Sequence, residues 1–233
     1  MVNKKTFANF VLIKLDKENN SIKLRNGFEL YMDNSFDPEK HATVTGTIYG
    51  LPSKLRYTGK GNDGMPWKTD MEISLGDRVI FYYLSVINAL KKENMRYFFE
   101  GDDRYIFISY EYIYAVYGEG FVKPINGYCL IEPCEDPAVT AEKERMAKIG
   151  MELVTLNKHS NTNVSFGIVR YVSTPIQKYV EEYNSDEGVD VNVGDKVVLR
   201  KVADIPLQYE LHSKIDGGKK YLRVQRKSIL ARL

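Results

Sequence analysis

Few residues in this chain have the type and spacing that chemistry requires. Cys129 and Cys134 stand five positions apart in YCLIEPCEDP. A metal-binding or redox thiol pair uses the CxxC spacing, and two cysteines are too few for a disulfide framework. Both are therefore expected as packed thiols on or near one strand, which fits a reducing compartment. His41, His159 and His212 lie far apart, and none has an HxH or HxxxH neighbour with which to share a metal. The glycine-rich stretch GKGNDGMPW, Gly59 to Trp67, lacks the Gly-Lys-Ser/Thr of a phosphate loop and reads as a surface hairpin or loop tip. The carboxylate pairs Asp102-Asp103 and Glu181-Glu182 sit in polar, loop-like stretches, where solvated charge accounts for them. There is no GxSxG elbow. The expectation is a protein that is not an enzyme, with no catalytic residue, no metal and no cofactor.

One cluster of charge stands out. Lys219, Lys220, Arg223, Arg226 and Lys227 surround Tyr221 near the C-terminus. Strand alternation sets Tyr221 opposite to Leu222, which leaves room for Tyr221 to be exposed, and the patch reads as a solvated strand face, with a charged protein interface as the alternative. A nucleic-acid partner would want a basic whole domain with interleaved aromatics. The chain has 33 basic against 31 acidic residues, a net charge of +2, so nucleic acid is not the expected partner.

The elements that must carry these residues are strands. The chain has 233 residues, 43% hydrophobic and 27% charged, which is ordinary for a folded protein. No apolar run approaches the ~20 residues a membrane-spanning helix needs. The opening MVNKKTFANFVLIKLD alternates and lacks a small-residue cleavage site, so no signal peptide is read there and a cytoplasmic protein is expected. Seventeen tyrosines and ten phenylalanines favour pleated, half-buried surfaces.

The chain also repeats itself. KKTFANFVLIKL aligns with VKPINGYCLIEP, placing Lys5 on Lys123, Phe10 on Tyr128, Leu12 on Leu130 and Ile13 on Ile131. VTGTIYG aligns with SFGIVRY through Gly46 and Gly167, and MEISLGDRVIF with VDVNVGDKVVL through Gly76-Asp77 and Gly194-Asp195. RYIFISYEYIYAV aligns with KYLRVQRKSILAR, placing Tyr105 on Tyr221 and Ile113 on Ile229. The order is kept and the offset drifts only from 116 to 123. Two units follow, residues 1–117 and 121–233, joined by a short linker at Gly118-Glu119-Gly120. Each is expected as an all-β unit of short strands forming a small barrel, with one short helix inserted in the second. Phe10 to Leu15 is a buried strand. Glycine and aspartate make a tight turn before Arg78–Tyr83 and its counterpart. The helix runs from Pro137 to Ile149, with Asp136 as N-cap and Gly150 as the stop. A second candidate, of one or two turns, is Leu84 to Lys92. Asn26-Gly27 between two β-rich runs signals a two-residue hairpin, pairing Leu24 with Glu29 and Lys23 with Leu30.

The ordered set of segments, present twice, resembles the GroES family of co-chaperonins, the ring-forming lids of chaperonin cages. VKPINGYCLIEP is similar to the family's opening strand. GFELY (Gly27 to Tyr31) and GMELV (Gly150 to Val154) fall where the family carries a glycine and an apolar tripeptide on a mobile loop. VTGTIYG and SFGIVRY fall on its strand ending in a valine-glycine turn. MEISLGDRVIF and VDVNVGDKVVL are similar to its valine-glycine-aspartate segment, and YIFISYEYIYAV and YLRVQRKSILAR to its final strand. The resemblance covers nearly all of both halves.

The resemblance implies two tandem GroES-like barrels, a homo-oligomeric ring, and docking of a chaperonin through Phe28, Leu30, Met151 and Leu153. Glu29 and Glu152 depart from the family's uniformly apolar tripeptide. A buried unpaired carboxylate would cost several kcal/mol, so each must turn out of an apolar groove or meet a cation, leaving two anchors per loop. The alternative is a structural assembly protein, such as a phage virion or tail or portal-vertex ring component. It would use the same barrel, its loops and Tyr83 to Phe99 for subunit contacts. Closed rings remove exposed strand edges, so both readings expect one.

Overall fold

The computed structural model describes residues 4–16, 21–23, 29–31, 43–57, 65, 67–91, 96–152, 164–174, 178–179, 191–200, 205–206, 219 and 221–233. The first half supplies β1 (Lys4–Thr6), β2 (Phe10–Leu15), β3 (Ser21–Lys23), β4 (Glu29–Tyr31), β5 (Thr45–Pro52), β6 (Trp67–Lys68), β7 (Arg78–Phe81), β8 (Tyr97–Glu100), β9 (Asp103–Ser109) and β10 (Ile113–Gly118). The second supplies β11 (Phe121–Pro124), β12 (Tyr128–Cys134), β13 (Val164–Val172), β14 (Lys178–Tyr179), β15 (Lys196–Arg200), β16 (Ile205–Pro206), β17 (Leu222–Gln225) and β18 (Ile229–Arg232). Helix α1 spans Tyr83–Leu90 and α2 spans Pro137–Lys148.

These strands form two main sheets. The first runs β11-β10-β7-β5-β2-β9-β8, with β1 laid parallel on β5. The second runs β16-β17-β12-β13-β15-β18. Apart from the β1–β5 pair, their ladders are antiparallel. The barrels expected from the sequence do not close: among the described residues each sheet keeps two edges. Helix α2 lies in the second half where the sequence places it, and the second candidate, Leu84 to Lys92, is present as the two-turn α1 in the first half.

The two sheets repeat each other in detail. The path β10-β7-β5-β2-β9 has the same pairing order as β18-β15-β13-β12-β17. On β2–β5 the register slips between Leu12 and Ile13, leaving Tyr49 as the extra residue. On β12–β13 it slips between Leu130 and Ile131, leaving Arg170. A β-bulge thus sits at matching places. The Gly-Asp turns match bond for bond. Asp77 Oδ2 accepts from the Ser74 amide at 2.8 Å, and Asp195 Oδ2 from the Asn192 amide at 2.8 Å. Gly76 and Gly194 hold φ of 87° and 97°, and their amides donate to the carbonyls of Ile48 and Val169.

Gly46 and Gly167, aligned by the repeat, both lie inside strands, in β5 and β13. A Cβ on Gly46 would fall 2.5 Å from the Lys14 carbonyl oxygen, and one on Gly167 2.3 Å from Ile131 Cγ2 and 2.9 Å from the Glu132 carbonyl oxygen. Glycine is needed for close approach of two backbones rather than for a turn.

Apolar residues divide into three clusters. Val11, Ile13, Ile48, Phe81 and Ile106 build the first core, on which α1 packs through Val86 and Ala89. Ile131, Val169, Val197, Leu199 and Val224 build the second. The third joins the halves and contains seven of the seventeen tyrosines. The glycine-rich loop tip, residues 58–64, lies outside the described residues, but Met65 and Trp67 at its end are buried in the first core.

Candidate functional site

The expected docking residues fall unequally. Phe28 and Leu153 lie outside the described residues. Leu30 lies in β4, whose backbone pairs with β3 as Ser21↔Tyr31, Ile22↔Leu30 and Lys23↔Glu29. The hairpin is present, but its register is one residue from the expected pairing.

Met151 is described in full. Asp136 caps α2 by accepting from the Ala138 amide at 2.8 Å, with Pro137 in the first turn. At the other end Gly150 takes φ 75°. The Gly150 amide donates to Ala147 O at 3.0 Å and the Met151 amide to Met146 O at 2.9 Å. This paired pattern is a Schellman motif, which fixes the chain just past the helix. No residue of α2 is buried. Met151 is 59% exposed, and Ile149 beside it is also exposed. Ile149 was legible only as the end of a helix; its exposure follows from α2 burying none of its residues.

The junction between the halves is the most elaborate polar and aromatic arrangement described. Gly118-Glu119-Gly120, expected as a linker, is a hairpin turn: β10 and β11 pair as Ala115↔Pro124, Val116↔Lys123, Tyr117↔Val122 and Gly118↔Phe121. The second half thereby supplies the outermost strand of the first sheet. Beyond it Ile125 is fully buried in the first core, and its amide donates to the Tyr114 carbonyl at 2.9 Å. Asn126, at φ 55°, donates through Nδ2 to the carbonyls of Tyr110 (2.9 Å) and Ile113 (2.8 Å). Its amide donates to Glu72 Oε2 at 2.8 Å. Burial pushes the Glu72 carboxyl up, partly offset by that bond.

Part of the C-terminal basic patch belongs to this junction: Lys219 and Lys227 are exposed and Lys220 lies outside the described residues, but for Tyr221, Arg223 and Arg226 the reading of a solvated face is overturned. Tyr221 and Arg223 are both buried. The Arg223 guanidinium lies 4.2 Å from the Tyr114 ring centroid, 4.9 Å from Tyr82 and 5.8 Å from Tyr128. Cation–π attraction compensates a charge that burial would otherwise penalise. Burial pushes the Tyr114 phenol far above its ordinary range, and the Arg223 charge pulls the other way. The Arg226 guanidinium donates to the Ser173 carbonyl at 3.0 Å. Alternation missed this because both faces of β17 are covered, one by the second core and one by the first half.

Among the described residues no three His, Cys, Asp or Glu gather as metal ligands. Cys129 is buried and Cys134 half-buried, the two are not joined in a disulfide, and burial pushes the Cys134 thiol up. Asp103 pairs with Lys14 at 2.5 Å. His41, His159, His212, Glu181 and Glu182 lie outside the described residues. An open cleft of about 520 Å³ beside α1 is lined by groups such as Tyr82, Ser85, Asn88, Arg96 and Tyr112, with no histidine, cysteine or carboxylate among the described residues. No helix among the described residues is long and apolar enough to cross a membrane. No protein-family model matches the chain, and no curated protein is similar to it.

Proposed function

We propose that the chain is a non-enzymatic ring protein of two GroES-like units, 1–117 and 121–233, acting as a co-chaperonin-like lid in the cytoplasm. The observation that carries this reading is the presented end of α2. Met151 and Ile149 are apolar and exposed, and a Schellman motif holds the chain at a helix that buries none of its own residues. An exposed apolar pair held at a fixed helix end is a candidate contact for a protein partner. The β3–β4 hairpin occupies the corresponding stretch of the first half, with Leu30 on it. Docking would use Leu30 and Met151, with Phe28 and Leu153 beside them in sequence.

The test is native mass spectrometry of the chain mixed with a chaperonin and nucleotide. Nucleotide-dependent capping is expected, and it should be lost when Leu30 and Met151 are changed to serine. A chain that never associates with the chaperonin would sink the lid. The second reading, a structural assembly protein such as a virion ring component, draws on the junction itself, where one unit completes its predecessor with a strand and a core side chain. That contact needs no outside partner.

A further inference from the structure

Helix α1 and the end of β9 bound a cleft that the lid reading leaves without a task. Its frame is backbone. At one end the Tyr82 amide donates to the Tyr112 carbonyl at 2.9 Å. At the other the Arg96 amide donates to the Ala89 carbonyl at 3.1 Å, and the Phe107 amide to the Arg96 carbonyl at 2.9 Å. The space between them, about 520 Å³, lies in the size range of small-molecule sites. Leu84, Ala89, Phe107 and Ile108 make up its apolar wall. Two polar groups of the lining lack partners. Ser85 Oγ is buried with no hydrogen-bond partner among the described residues. A buried hydroxyl in that state costs free energy unless something meets it. Arg96 is the one charged side chain of the lining, since α1 (YLSVINAL) carries none. Its guanidinium rests 4.9 Å from the Phe10 ring centroid, a contact that holds the group and leaves its N–H fork open. No carboxylate pairs with it among the described residues.

We propose that this cleft binds a small organic carboxylate, with Arg96 and Ser85 Oγ holding the carboxylate and the apolar wall holding a flat hydrophobic body. The site goes beyond the lid reading and does not depend on it. Charge selects the ligand class. One unpaired guanidinium in an otherwise uncharged lining calls for one negative charge, and the planar fork of arginine matches the two oxygens of a carboxylate. The Ser85 hydroxyl donates to the same group. A neutral ligand would leave the cation unmatched, and a cationic one would be repelled. Tyr82, Phe107 and Tyr112 stand around the same space, so an aromatic body meets aromatic surface. Glu111, next to Tyr112 in sequence, does not reverse the balance. Burial pushes its carboxyl up, toward the uncharged form, against hydrogen bonds from Tyr112 and Ser109.

The experiment uses the full chain and three probes that share one ring system: naphthoate, naphthamide and naphthyl phosphate. Binding is measured by isothermal titration at millimolar probe, and melting without probe monitors the folding of each variant. Naphthoate is expected to bind about tenfold more tightly than naphthamide. Arg96→Gln should weaken naphthoate by about tenfold and leave naphthamide unchanged. Ser85→Ala should weaken naphthoate by about fivefold, yet melt no lower than the parent, because it removes a buried hydroxyl that lacks a partner. Arg104→Gln, whose guanidinium lies over Phe99 outside the cleft, should bind as the parent does. If Arg96→Gln melts early, the naphthoate-to-naphthamide ratio of the parent and the Ser85→Ala variant decide the matter. Naphthoate that does not bind, binds no tighter than naphthamide, or binds undiminished to a folded Arg96→Gln overturns the proposal. Naphthyl phosphate binding more tightly than naphthoate overturns the assignment to a carboxylate.

Discussion

Ala8 and Asn126 stand 118 positions apart at one place in the repeat, and both hold a left-handed backbone, at φ 53° and 55°. They are the two non-glycine residues among those described that do so. The left-handed region penalises a Cβ, and asparagine tolerates it better than alanine. Ala8→Gly should therefore stabilise the protein by about 0.5–1 kcal/mol. Asn126→Ala should destabilise it by about 2–3 kcal/mol, because it adds the alanine strain and strands the carbonyls of Tyr110 and Ile113. Urea unfolding midpoints measure both, and equal midpoints for the two variants would contradict the account.

Two kinds of glycine should separate under the same substitution. Gly46→Ala drives a Cβ to 2.5 Å from a backbone oxygen, and the strand has to move. Gly76 has nothing within 4 Å of its virtual Cβ, only a φ of 87°. The expected losses are about 3 kcal/mol for Gly46→Ala and about 1 kcal/mol for Gly76→Ala. Gly167→Ala should follow Gly46→Ala. A reversed order in denaturation experiments would show that strand contact is not the constraint.

Asp16 sets a pH dependence. Burial pushes its carboxyl up, but bonds from Thr45 Oγ1 (2.7 Å), Arg78 Nη2 (3.0 Å) and Tyr117 OH (3.2 Å) outweigh burial and hold it below the ordinary carboxylate range. A folded value below the unfolded one means the stabilisation is complete above the unfolded value. It is lost as pH falls through the folded one. Arg78 is half exposed, so its pairing counts for little and the node is worth about 1 kcal/mol. Asp16→Asn should lower the melting temperature at neutral pH, and the gap from the parent should shrink on acidification. A gap that widens in acid would refute the sign.

Arg223 couples the halves. Arg223→Ala removes the cation over Tyr114, Tyr82 and Tyr128 and leaves a cavity, with an expected cost of about 2–4 kcal/mol. Arg223→Met keeps most of the volume and should cost less. Calorimetry should show one transition in the parent and a broadened or split one in Arg223→Ala. A single sharp transition at an unchanged temperature would mean that the tyrosine cluster does not need the guanidinium.

Local features were legible in the sequence because their causes are local. Asp136, Pro137 and Gly150 delimit α2 through capping and a left-handed stop, and Asp77 and Asp195 close their turns on nearby amides. The repeat was legible because it is written in residue identities. What escaped is non-local. The burial of Arg223 and Tyr221 depends on a sheet from the other half. The role of Gly46 depends on how near Lys14 runs. The β3–β4 register is one residue from the pairing that Asn26-Gly27 alone implied. The exposed Met151 was found through a resemblance, whereas Ile125 looked like an ordinary apolar residue until its place in the first core was seen.

Because β11 belongs to the first sheet while its residues follow Gly120, the division of the gene and the division of the fold differ by one strand. During synthesis the first sheet cannot complete its edge or seat Ile125 until the ribosome has passed the start of the second half. A fragment ending at Tyr117 should expose the vacated edge of β10 and behave as a sticky, partly folded species. One ending after Asn126 should be the smallest independently stable piece. The natural seam for cutting, permuting or fusing this protein lies beyond Asn126, not at the glycines that look like a linker.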